Sequence, residues 1–142
     1  MYDLFKFIHV AAVIVWVGGV VTLLILNARV SRAGDPQVIA ALARQSRAFG
    51  QMVMGPAAGL TLVAGVIAML VGDISLATTW ILWGLGSVAA SLLLGATAIR
   101  RTTERLAAGT ESGGSLRRRL AWLNILNLAI LFSAVAAMVF KP

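Results

Sequence analysis

Four apolar runs, at residues 4–26, 49–71, 79–99 and 120–140, leave this chain few ways to fold. About 20 residues rising 1.5 Å each cross a hydrocarbon core of about 30 Å, and every run reaches that length. In lipid each backbone N–H and C=O must be bonded internally, so runs of this kind become helices. They are too long for strands and show no period of two. The expected fold is all-α: a bundle of four transmembrane helices forming one integral membrane domain over residues 1–142. The first run starts with Asp3 and a single lysine where a secretory leader has a basic region, and it exceeds a leader's apolar segment. It is therefore expected to stay as a span.

Composition explains the connections. With 60% hydrophobic and 12% charged residues and a mean hydropathy of +0.93, the chain lies far from soluble globular proteins. Its formal charge of +7 is unevenly spread: ten of the twelve basic residues are arginines in the first and third connections, whereas the second holds Asp73 and no base. The positive-inside rule places these two connections in the cytoplasm and both termini outside, as in a multi-pass protein of the cell inner (plasma) membrane. Near anionic lipid each base contributes about 1 kcal/mol of attraction. Base-reading or stacking residues do not accompany the arginines, so the bilayer and not a nucleic acid is the expected partner. The absence of cysteine excludes disulfides, Cys-based zinc sites and thiol chemistry.

Several local patterns carry structural expectations. Asp35-Pro36 is an N-cap and first-turn pair for a helix toward Phe49. Val38, Leu42 and Phe49 share one face of it, with Arg44 and Arg47 pointing away, as for an amphipathic helix lying on the inner membrane surface before the chain turns inward near Gly50. "AAGTESGGS", residues 107–115, reads as a flexible link. Pro56 frees the Met52 carbonyl and should kink the second span. Gly55 with Gly59, and Gly84, Ser87, Ser91 and Gly95, form small-residue ladders for close packing between spans or against a homodimer or other membrane protein partner. "WVGG" at Trp16 and "WGLG" at Trp83 are a faint echo between two span–loop–span halves.

The polar residues within the spans bear on function. No Asp or Glu lies deep in a span, which argues against a proton-coupled exporter. Asn124 and Asn127 are placed to hydrogen-bond a neighbouring helix. Trp80, Trp83 and Trp122 sit at span ends as belt aromatics, but Trp16 is mid-span. In "KFIHVAAVIVWVGG", residues 6–19, Lys6, His9 and Trp16 fall on one flank of the helix. Lys6 can snorkel outward and pair with Asp3. His9, the single histidine, lies roughly 8 Å below the outer end. It is either a neutral imidazole with one hydrogen-bond partner or a ligand for heme iron or a soft metal. Met69 and Met138 reach its depth, whereas Met52 and Met54 lie at the opposite face. One methionine would complete a heme pair and both a Cu(I) site, although methionine equally serves as core filler.

"LFKFIHVAAVIVWVGG" resembles the first helix of a bacterial family of predicted integral membrane proteins of unknown function, and "MGPAAGLTLVAGVIAM", residues 54–69, is similar to that family's second helix. The wider group includes the copper-resistance D-type proteins and the HemJ-type membrane protoporphyrinogen oxidases. The resemblance to the HemJ type implies a heme-binding role for the histidine of a Lys-x-x-His pair followed seven residues later by Trp, here Lys6, His9 and Trp16. HemJ-type proteins carry further histidines, and this chain has one. The expected function is a non-catalytic membrane subunit or accessory protein. The alternative is a heme- or copper-handling protein in which His9 is ligand, Met69 or Met138 the second ligand, Lys6 a neutralising charge and Trp16 a wall.

Overall fold

The computed structural model describes residues 1–109 and 113–141. Helix α1, Tyr2–Ala33, ends where Gly34 adopts φ +77° and returns its N–H to the Val30 carbonyl, a left-handed cap that glycine adopts without a Cβ penalty. Asp35 follows as N-cap, its Oδ1 accepting from the Gln37 N–H at 2.8 Å, and α2 (Pro36–Phe49) begins at the proline as the sequence predicts.

Helix α2 does not turn inward at Gly50. It runs through a π-helical segment, Gly50–Met54, into α3 (Gly55–Val71), making one helical rod from Pro36 to Val71. The cause is local: Pro56 has no N–H to give the Met52 carbonyl, and Gly55 bonds the Gly50 carbonyl five residues back, so the ladder widens where the proline interrupts it. The third span behaves alike. Helix α4 (Thr79–Leu94) passes through a second π segment, Gly95–Ile99, into α5 (Arg100–Ala108). Gly109, at φ +65°, caps α5, and α6 (Gly113–Phe140) starts seven residues before the apolar run that predicted it. Of the link expected at 107–115, Ala107 and Ala108 are helical, and 110–112 lie outside the described residues.

The basic connections are thus largely helical extensions of the spans, and α2 has a protein partner. It packs on α5, with Ala43 buried against Leu106, Leu116 and Leu120 and with Ile39 beside them. Ile39 and Ala43, one turn apart, supply this seam, while Val38 on the stripe expected to face lipid remains 46% exposed.

Among the described residues four helices are long and apolar enough to cross a membrane. They pack chiefly as two pairs, α1 with α3 and α4 with α6, joined by contact between α1 and α6. The α4–α6 seam uses the anticipated ladder: Gly84, Ser87 and Ser91 are buried. Ser91 donates to Asn127 Oδ1 across it, whereas Asn124 donates to Leu120 O of its own helix at 3.0 Å. On α3 the ladder is not the one expected, since Gly59 is exposed; Ala57, Ala58, Thr61, Ala64 and Ala68 are the buried small residues. Side chains such as Phe7, Ile14, Leu93 and Phe132 point outward, the surface a bilayer would cover.

Candidate functional site

The bundle has two ends of different character, one bearing the termini and one bearing the arginines. His9 lies toward the terminal end. Its Nδ1 is 2.7 Å from the Thr61 carbonyl of α3. A carbonyl only accepts, so Nδ1 carries the proton of this bond, which in a neutral imidazole leaves the lone pair on Nε2. The ring lies so close to Gly65 that a Cβ there would sit 2.8 Å from Nδ1. Glycine is the residue that permits this contact.

The contact belongs to a series. Seven residues before His9, the Tyr2 ring sits where a Cβ on Gly72 would be 2.9 Å away. Seven residues after it, Trp16 is buried in one core cluster with Ala57 and Ala58. Going down α1 by seven while going up α3 by seven pairs a flat ring with a small residue each time: Tyr2 with Gly72, His9 with Gly65, Trp16 with the Ala57–Ala58 step. The shared flank of His9 and Trp16 is thereby accounted for as a seam between antiparallel helices.

Lys6 is exposed, with its ammonium 5.7 Å from the Tyr2 ring centroid. It does not pair with Asp3: among the described residues the ion pairs are those of Glu104. Met69 is buried on α3. Met138 packs its Cε on Gly84, in the α4–α6 seam, whereas His9 lies in the α1–α3 seam. Among the described residues no three His, Cys, Asp or Glu gather as a metal cluster.

Below Trp16 the seam opens into a cavity of about 360 Å³. Its floor is apolar, formed by Trp16, Val20, Met54 and Ala58. Asn124 and Asn127 line its middle, and Gln51, Ser46, Arg47, Arg100 and Thr103 its basic end. Gly50 and Gly95, the first residues of the two π segments, also line it, and beyond its own helix backbone neither has an atom within 4 Å of where a Cβ would stand. The two widened turns thus border one hollow, in keeping with the use of π turns at functional sites. Part of the polar lining is unused by the protein. The Ser46 hydroxyl is shut off from solvent without a hydrogen-bond partner among the described residues, and Asn124 and Asn127 each commit only one side of their amides.

At the cavity's basic end Glu104 joins α5 to α2. Its Oε1 accepts from Arg100 Nε at 2.9 Å, one turn away, and lies 3.5 Å from Arg47 across the seam. The Arg100 hydrogen bond, opposed in part by desolvation and helped by the charges of Arg100, Arg47 and Arg101, holds this carboxyl, beyond the apolar run, below its usual range.

A family profile for predicted integral membrane proteins, DUF2269, matches residues 3–142. The chain belongs to the DUF2269 family. No curated protein and no solved structure matches it. For this DUF2269 protein the sequence picks out Trp16 as the wall of a site and both asparagines as interhelical hydrogen-bonding residues, but it does not mark Glu104, Arg47 or the glycines of the π segments as site residues. The i,i+4 spacing of Arg100 and Glu104 was the available signal; the Arg47 contact depends on the α2–α5 seam and has no local trace.

Proposed function

We propose that this protein is a non-catalytic membrane protein, set in the cell membrane with its basic end in the cytoplasm, that holds a small amphipathic molecule in the cavity below Trp16. One observation carries the reading: a hollow in the size range of ligand pockets, apolar at its floor and lined at its other end by guanidinium, amide and hydroxyl groups. Such a lining orients a bound molecule through hydrogen bonds and charge. The arginine distribution supports the orientation.

Native mass spectrometry of protein purified in mild detergent tests the reading. The wild type should carry a retained amphiphile that Gly95→Leu, which fills open space in the cavity wall, lacks at equal thermal stability. Equal retention by both proteins would overturn it.

A second reading keeps His9 as a heme or copper ligand, in line with the Lys6, His9 and Trp16 spacing, which resembles that of the HemJ-type proteins. The Thr61 carbonyl supports it by fixing the tautomer, the outer-shell arrangement common among ligating histidines, so that Nε2 is the free donor. Met69 would be the second ligand, or a partner protein would supply one. Oxidised and dithionite-reduced spectra with metal analysis decide: a Soret band or bound copper lost in His9→Ala supports this reading, and a colourless, metal-free protein from replete cells dismisses it.

A further inference from the structure

The cavity reading leaves open what kind of polar group the ligand carries, and Glu104 bears on that question. Two arginines line the cavity, and both turn to one carboxylate at its edge. Neither is held rigidly: Arg47 and Arg100 are about half exposed and Glu104 is one-third exposed. Exposed pairs of this kind are weak and exchange readily. A phosphate or carboxylate entering the hollow offers the guanidiniums the same acceptor geometry in a less solvated place, where charge-assisted hydrogen bonds are stronger. The apolar floor suits a hydrocarbon tail.

Resting on the cavity reading, we infer that the site takes an anionic headgroup on an apolar tail, and that Glu104 is its built-in competitor. When the site is empty, Glu104 offsets part of the charge of Arg47 and Arg100 and ties α2 to α5. When an anion binds, the arginines exchange Glu104 for the ligand. The released carboxylate loosens the α2–α5 tie, so occupancy is communicated to the basic end of the bundle.

The test measures equilibrium binding of dodecyl phosphate, glycerol monolaurate and inorganic phosphate to the full chain in maltoside micelles. Wild type should prefer dodecyl phosphate to the uncharged monolaurate by about tenfold, and Arg100→Gln should lose about tenfold for the phosphate alone. Glu104→Gln should tighten dodecyl phosphate by about threefold. Asp35→Asn provides the control: it makes the same change in net charge at the same end, and asparagine caps α2 as well as aspartate does. It should leave binding unchanged. Equal tightening by Asp35→Asn and Glu104→Gln, or none by either, overturns the competitor role. Equal binding of phosphate and monolaurate, both lost in Gly95→Leu, overturns the anionic headgroup while leaving the cavity reading standing. Unaltered binding of both to Gly95→Leu overturns the cavity reading itself. Displacement of dodecyl phosphate by millimolar inorganic phosphate supports the anion site with a free anion as its source, and tight binding without such displacement supports it with a lipid headgroup.

Discussion

The terminal half of the bundle and its basic half are built from the same helices but solve opposite problems. Toward the termini, α1 and α3 close on each other, with rings set against glycine at Tyr2–Gly72 and His9–Gly65. The series ends at Trp16. Beyond it Gly19 still packs closely on Phe49 and Met54, but Gly50 and Gly95 on the second and third spans stand free beside a hollow. In lipid, where apolar burial does not drive helices together, close packing must come from shape. The protein sets rings against glycine at one end and leaves polar groups unspent at the other.

Substitutions can break this contrast. The largest effect is expected for Gly65→Val, whose side chain has no room beside the imidazole: a loss of about 3 kcal/mol in reversible denaturant unfolding followed by circular dichroism. His9→Ala should cost about 1–2 kcal/mol by the same measurement, because the Thr61 carbonyl loses its second partner and the Gly65 notch is left empty. Ser91→Ala, which removes the bond to Asn127, should cost about 0.6 kcal/mol. Gly95→Leu is expected to change stability by less than about 0.5 kcal/mol, since its side chain enters open space. A loss as large as that of Gly65→Val would erase the distinction between the two halves.

The spans were legible because hydropathy and length report on them directly, and the Asp35-Pro36 start of α2 because a cap is local chemistry. The third connection was misread for a definable reason. Arginine-rich stretches look like loops when only the membrane is considered, yet Arg100–Ala108 is helical and finds its partner in α2, about 60 residues earlier. His9 and Trp16 lie along one flank while Lys6 is exposed, but the sequence offered chemistry as the reason for their spacing. The structure adds the heptad-spaced seam, whose other half, Gly72, Gly65 and Ala58, is recognisable only once α1 and α3 are known to run antiparallel. Gly59 misled because glycine spacing identifies a permissive helix face without saying which neighbour covers it.

The π segments have a further consequence. Each inserts the equivalent of one residue into an otherwise regular helix, so the part beyond it is rotated by about 100° relative to the part before. The face of α3 that meets α1 and the face of α2 that meets α5 are therefore out of phase by one residue, and a single codon gained or lost between Gly50 and Met54 would turn the entire basic extension to a different side while leaving the membrane-spanning part undisturbed. A one-residue insertion or deletion at either of these two points is thus a short step that would re-aim the basic end of the bundle.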